Sequence, residues 1–376
     1  MAVVRTRSEA LDSLAVSTWR HMKQRIADQV FNEVVFFAYL KSKGKLQPYQ
    51  GGKYIETPVS YAENDTVGWI SDQDAVNIND IDPLTTAEYN WRYLVASVTR
   101  SQIEEQKNRG KMQIMNLLKH KMEVAQNSLI KEIESRLYGA VDSTNKQMEG
   151  LQHLIADNPA AVVNVGKIAQ GTYSWWRNQT LNYGTHANFG NNDSRTESAG
   201  AAADRGVLNV FGAAHASGPD KGIVAMRETK DKSSKSLGNE RPDIILTDYN
   251  IYRAYNASID DHLRIITQKV GDLSFQTLTF EGLPILPSDN CPQDTTSSLT
   301  EGTFTATNPG SRIYMVDTDH IYAYYDPGMY FDMTEWKPVP NQLKRAAQIV
   351  TAMNMIACSR RSSAVIYNCF TSAEGT

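Results

Sequence analysis

Residues 111–139 read KMQIMNLLKHKMEVAQNSLIKEIESRLYG. The apolar positions Met115, Leu118, Met122, Ala125, Leu129, Ile133 and Leu137 advance by three or four, so they share one helical face until Gly139 stops the helix. The spacing predicts a rod of about 28 residues and roughly 40 Å, well above the average helix. Its opposite face carries Lys119, Lys121, Lys131, Glu132 and Glu134. A rod with one apolar stripe is covered by its own domain along one side only, which marks it as a scaffold element. Just upstream, Ser101 and Glu104 have capping-box spacing and Gly110 interrupts the pattern, so the rod segment is taken as 101–140.

Two extended segments precede the rod. GGKYIETPVSYAEN (51–64) has Tyr54, Ile55, Val59 and Tyr61 as strand formers, and Pro58 favours an edge. EYNWRYLVASVT (88–99) places Tyr89, Trp91, Tyr93 and Val95 on one face by period-two alternation. Together they predict a long hairpin within 45–100, protruding too far to bury against its own domain. Between the strands the chain is acidic: residues 63–88 hold Glu63, Asp65, Asp72, Asp74, Asp80, Asp82 and Glu88 with no lysine or arginine. A two-stranded ribbon reaching on the order of 30 Å is marginal alone in water, so it is expected to dock on another subunit. Basic surfaces are available for it. Segment 100–136 has eight Lys/Arg against five Glu, and 337–376 has five against one.

Ahead of the hairpin, residues 1–44 form an arm. Leu11, Ala15, Trp19, Met22, Ile26 and Val30 line one helical face, which continues through Val34–Phe37 to a stop at Gly44. Residues 141–335 change to short elements between Gly, Asn, Asp, Ser and Pro clusters, as in a loop-rich mixed domain. There, 216–232 reads as a polar helix, RPDIILTD (241–248) as a buried strand, and TLTFEGLPILP (277–287) and SRIYMVDTDHIYAYY (311–325) as further strands. Residues 182–206 read as a long surface excursion. In the last segment, 336–376, Gln342–Ile356 reads as a helix or helix-strand unit, CSRRSSAVIYNCF as a closing strand, and the final residues as a frayed tail.

The 376 residues are 41% hydrophobic and 21% charged with net charge −4, an ordinary composition and not that of a dedicated nucleic-acid binder. Cys291, Cys358 and Cys369, odd in number and widely spaced, make neither a disulfide framework nor a paired zinc site, and fit a reducing compartment. Charges at Arg5, Arg7, Glu9 and Asp12 break any signal-peptide stretch, and no apolar window spans a membrane. The sequons at Asn64, Asn178, Asn192 and Asn256 read as coincidental. Gly-x-Ser-x-Gly, phosphate-loop and Gly-x-Gly-x-x-Gly signatures are absent. SDQDAVNINDIDP (71–83) lacks the turn glycine and the ligand at position five that a calcium loop needs. His320 beside Asp317 and Asp319, with Cys291, supplies residue types for a nucleophilic site, although no cysteine sits in an activating motif. Trp175 and Trp176 beside Arg177 suit either a stacking platform or an aromatic anchor, the anchor being favoured. Arg360 and Arg361 read as an interface or surface pair on a strand. The candidate interface residues are therefore Lys53, Tyr54, Asp72, Asp74, Asp80, Asp82, Trp91, Lys119, Lys121, Trp175, Trp176, Arg177, Arg360 and Arg361.

The order of parts (arm, extended hairpin, spine helix, loop-rich domain, returning strands) resembles the major capsid proteins of tailed double-stranded DNA bacteriophages. The residues that carry the resemblance are KSKGK and GGKYIETPVSYAEND, then GLQHLIADNPAAVVNVGKIAQGTYSWWRNQ (150–179), PDIILTD, LTFEGLPILPSDNCP and Ile356–Tyr367. The resemblance implies an α+β capsid fold shared with encapsulins and the herpesvirus capsid floor. In that fold the arm and spine helix lie in a peripheral domain, the hairpin is the extended loop, and an axial α/β domain faces the capsomer axis. It implies a non-enzymatic shell of hexamers and pentamers around double-stranded DNA, without sequence specificity, cofactor, metal or membrane. The implied partners are further copies, a portal protein, and separate scaffolding or decoration proteins where these are used. A scaffolding domain fused ahead of the arm is not expected. Assembly in the host cytoplasm and residence in the virion follow. Some members cross-link lysine to asparagine between subunits. Here Lys53 lies at the hairpin base and the tip is lysine-free, so that chemistry is not expected. Two other readings stand beside this one: an encapsulin-type compartment, and an aromatic-lined ligand-binding enzyme using Trp175, Trp176 and the Cys/His/Asp residues.

Overall fold

The computed structural model describes residues 35–62, 66–72, 82–101, 111–139, 146–160, 164–182, 221–234, 240–260, 268–269, 276–292 and 311–369. The arm stripe from Leu11 to Val34, Asp74 and Asp80, Glu104 of the capping box, most of the 182–206 excursion and the final tail lie outside these residues. In chain order the elements are α1 (Val35–Ser42), β1 (Leu46–Pro48), β2 (Tyr54–Ser60), β3 (Leu84–Asn90), β4 (Tyr93–Ser101) and α2 (Lys111–Leu137). Then come α3 (Leu151–Leu154), β5 (Gln179–Asn182), α4 (Lys221–Ser233), β6 (Ile244–Thr247) and α5 (Tyr249–Asp260). The short strands β7 (Gln268–Lys269), β8 (Gln276–Thr277) and β9 (Thr279–Phe280) lead into β10 (Leu283–Pro287), β11 (Ser311–Val316) and β12 (Ile321–Tyr325). Last are β13 (Asp332–Met333), β14 (Lys337–Pro338), β15 (Lys344–Ala357) and β16 (Ala364–Cys369).

Helix α1 ends as its sequence requires: Gly44 takes φ +69°, and the Lys45 N–H donates back to the Leu40 carbonyl at 2.9 Å. Its FFAYL run (36–40) is buried, with Phe36, Phe37 and Leu40 fully enclosed. The rod appears as the 27-residue α2, whose buried residues Met122, Leu129, Ile133 and Leu137 follow the expected stripe.

One sheet is built around β15, 14 residues long. It runs β1-β12-β15-β13, with β4 and β14 also on β15. Nine consecutive pairs join β4 to β15, from Lys344↔Ser101 to Ala352↔Tyr93, and Ile321–Tyr325 pair antiparallel with Ala357–Met353. This corrects the expectation of a helix or helix-strand unit over Gln342–Ile356. KRAAQIVTAMNMIA is rich in helix formers, but a strand here gains ladder partners from four others, and that tertiary pairing outweighs the local preference.

The second sheet has the order β5-β16-β11-β6-β10-β9. It separates two apolar clusters. Ile244, Leu246, Tyr314, Val316 and Val365 face the main core, while Ile245, Ile313, Met315 and Ile366 face a second cluster with Met226, Ile251 and Tyr255 of α4 and α5. A sheet covered on both faces needs continuous apolar strands, which is why IILT and RIYMV show no alternation.

Candidate assembly surface

The hairpin segments do pair: β2 and β3 form an antiparallel ribbon from Tyr54↔Asn90 to Ser60↔Leu84. The expected single face of Tyr89, Trp91, Tyr93 and Val95 is broken, because the chain leaves the ribbon at Asn90 and enters the β15 sheet at Tyr93. Tyr89 is buried, whereas Tyr93 and Val95 are exposed. Nor is the paired part of the ribbon free-standing. Ile55, Val59, Ala87 and Tyr89 on one face are buried against the body, whereas Val67, Trp69 and Ile70 beyond the last pair are exposed.

Segment 164–177 covers part of the paired strands. Val165 and Ile168 bond to each other across a turn in which Gly166 and Lys167 both have positive φ. The Gly166 carbonyl accepts the Glu88 N–H at 3.0 Å. Lys167 pairs with Glu88 at 2.5 Å and lies 3.4 Å from the Tyr54 ring centroid. Farther out, Trp175 stacks on Tyr61 at 5.3 Å. At the root, the Tyr89 hydroxyl donates to the Ala357 carbonyl at 2.9 Å in a buried site.

A buried ion pair completes the root. Arg92 Nη2 lies 3.2 Å from Glu149 Oε1, both side chains 8% exposed. Asn354 accepts the Glu149 N–H and donates to the Asn90 carbonyl, so β15 ties the ribbon to the segment before α3. His153 Nε2 is 3.9 Å from the second Glu149 oxygen. Burial, with Arg360 and Arg92 nearby, pushes the His153 imidazole down to about 4. Between about pH 6.5 and 4 the unfolded chain therefore takes up a proton that the folded chain refuses, and stability falls as the pH falls. The loss from this group is about 3 kcal/mol across the window. Burial raises the Glu149 carboxyl, which acts in the opposite direction. Urea unfolding of His153→Gln should show a flatter dependence on pH between 7.5 and 4.5 than the parent chain; equal slopes would refute this assignment.

Several candidate interface residues turn inward. Arg360, expected as a surface or interface residue on a strand, lies in the turn between β15 and β16 and is 1% exposed. Its guanidinium donates to the Leu154 and Trp176 carbonyls, Gln170 Oε1 and Asn178 Oδ1. Arg361 is exposed. Trp176 is buried with Nε1 donating to the Val165 carbonyl, while Trp175 stays half-covered. Arg177 donates to the carbonyls of Gln170 and Gly171, and Lys121 Nζ to that of Thr99 at 3.3 Å. Trp91 packs on Tyr49 and donates to Gly52, and Lys53 lies 5.1 Å over Tyr54. The Lys119 side chain lies outside the described residues.

The tip presents the opposite character. Val67 and Ile70 are exposed, Trp69 is fully exposed, and Asp72 and Asp82 are exposed as well. Asp82 also shapes the ribbon end, accepting the Leu84 N–H and, through its carbonyl, the Tyr61 hydroxyl.

The residues named for an aromatic-lined catalytic site are not assembled into one. Trp176 is enclosed, Cys291 is buried under the Arg312 carbonyl with its thiol pushed well up by burial, and His320 Nδ1 lies 2.8 Å from Asp317, facing Glu240. Among the described residues, no group of three or more His, Cys, Asp and Glu side chains could hold a metal ion.

No family model matches the chain, and no curated protein matches it by sequence. Solved structures do. The capsid of cyanophage A-1(L) is 16% identical with a TM-score of 0.55, covering 88% of this chain and 91% of that one. The holo-SrpI encapsulin complex from Synechococcus elongatus PCC 7942 is 11% identical with a TM-score of 0.50, covering 88% and 87%. At these identities the likeness is one of fold: an α+β capsid fold common to phage heads and encapsulin shells.

Proposed function

We propose that this chain is the major capsid protein of a tailed double-stranded DNA phage, a structural and non-catalytic subunit that assembles as hexamers and pentamers into an icosahedral head. The observation that carries the reading is the ribbon, which is fixed at its root by buried bonds and exposes Val67, Trp69 and Ile70 at its far end. Apolar residues held out on a rigid support gain cover when copies associate. Further copies, a portal protein, scaffolding or decoration proteins and sequence-independent DNA are the partners, with assembly in the host cytoplasm and residence in the virion. Size-exclusion chromatography and electron microscopy of the chain expressed alone should reveal capsomers, tubes or closed shells. A compact monomer at high concentration and low ionic strength would overturn the reading. The encapsulin-type compartment remains a second reading, favoured by the likeness to the encapsulin complex. What fills the shell, genome or cargo protein, separates the two.

Acidic tips meeting basic surfaces of adjacent copies would steer assembly. Replacing Asp72, Asp74, Asp80 and Asp82 together by asparagine should slow assembly about tenfold at low salt, with the gap closing as ionic strength rises. Light scattering that records equal rates at low salt would remove the electrostatic contribution.

A further inference from the structure

A cleft of about 130 Å³ opens between the start of β4 and the C-terminal half of α2. Leu94, Ile133, Met148 and Met353 form its apolar lining, and Arg136 and Lys146, which both reach solvent, border it. We propose that this cleft is a binding site for a small free monocarboxylate, whose apolar part is one aromatic ring or an alkyl chain of about six carbons. The inference goes beyond the capsid reading and does not depend on it. A ligand seated here would fasten the start of β4, at the ribbon root, to α2.

Size, charge and rigidity converge on that ligand. An apolar cavity of about 150 Å³ holds a benzene ring, and this cleft is of the same order. The flexible thioethers of Met148 and Met353 adjust to either a flat or a linear group. The charges then set the sign. Arg92, Arg136 and Lys146 line the cleft against one carboxylate, Glu132. Arg92 is taken by Glu149 at 3.2 Å and Arg136 by Glu132 at 2.8 Å, which leaves Lys146 as the lining cation with no carboxylate partner among the described residues. One uncompensated positive charge beside an apolar floor selects a single negative charge over a neutral or cationic ligand. Arg136 spends Nε on Glu132 and Nη1 on Gln147, so its Nη2 hydrogens can serve the same carboxylate. The walls are fixed before a ligand arrives. The Met353 N–H donates to the Arg92 carbonyl at 3.0 Å, joining β15 to the start of β4, and Arg136 holds Gln147 beside Met148. A site already formed loses little freedom on binding.

Ligand-observed saturation-transfer NMR on the full chain, in whatever assembly it adopts, tests this with 3-phenylpropionate and its uncharged counterpart 3-phenylpropan-1-ol. The acid should bind saturably with a Kd below about 1 mM, and the alcohol about tenfold more weakly. Lys146 is exposed, so its variants should fold. Lys146→Ala should bring the acid down to the affinity of the alcohol and leave the alcohol unchanged, and Lys146→Glu should reverse the preference toward 3-phenylpropylamine. Hydrogen exchange with saturating acid should slow the amides of 92–96 and 146–148 while those of β6 and β11 keep their rates. Equal affinities for acid and alcohol in the parent chain, acid binding that ignores Lys146→Ala, no saturable transfer, or protection confined to other segments would each overturn the site and leave the capsid reading intact.

Discussion

Arg360→Ala should lower the stability of the chain by about 4 kcal/mol or prevent recovery of folded protein, while Arg361→Ala changes it by less than about 0.5 kcal/mol. The two arginines are sequence neighbours with opposite fates. Arg360 is buried, and burial pulls its guanidinium down to about 10, still protonated at neutral pH. It serves oxygens from three stretches of chain: Leu154 at the end of α3, Gln170, and Trp176 with Asn178. Truncation removes a donor from four buried oxygens, a loss of about 1–3 kcal/mol for each one that finds no substitute, and opens a void beside Trp176. Arg360→Lys should fail almost as badly, because an ammonium cannot reach four oxygens spread in the plane of a guanidinium. Thermal unfolding followed by tryptophan fluorescence would measure all three variants; an Arg360→Ala chain melting with the parent would show that the oxygens find other donors.

These residues also show what a single sequence can and cannot reveal. Periodicity located α2 to within two residues of its C-terminal end, because a half-covered helix must repeat every three to four positions. The absence of periodicity in IILT marked a strand covered on both faces. Adjacency in sequence, by contrast, does not say which of Trp175 and Trp176, or Arg360 and Arg361, points inward; that depends on segments far away in the chain. The root network was not legible for the same reason. Asn354 bonds Glu149 across 205 positions and Asn90 across 264, and Tyr89 bonds Ala357 across 268. The strand β15 was missed because its alternation of Ala347, Ile349 and Thr351 inward is written in residues that also suit a helix. The exposure of Asp72 and Asp82 was legible from composition, since carboxylates in a stretch without lysine or arginine stay in solvent.

Gly166→Val should detach the ribbon from the body and abolish assembly while leaving the two sheets folded. The turn holds Gly166 at φ +59°, a conformation costing a β-branched residue about 1–3 kcal/mol. Space is also lacking: a Cβ there would stand 3.0 Å from both the Ala87 Cβ and the Tyr89 ring, and 3.1 Å from the Tyr89 hydroxyl. Tyr89 cannot swing away without breaking its buried bond to Ala357, so the turn itself must move. Moving it loosens the Glu88 N–H bond to Gly166 and the Lys167–Glu88 and Lys167–Tyr54 contacts, all on the outer side of the ribbon. The combined loss, about 3 kcal/mol or more, falls on a two-stranded ribbon that has little stability of its own. Lys167→Gly provides the control, because it relieves a positive φ while removing an ion pair that solvent screens, so its net effect should be small. Hydrogen exchange should show amides of β2 and β3 losing protection in Gly166→Val while β6, β11 and β15 keep theirs. Retained protection throughout, with normal assembly, would mean that the tip and not the turn sets the ribbon's position.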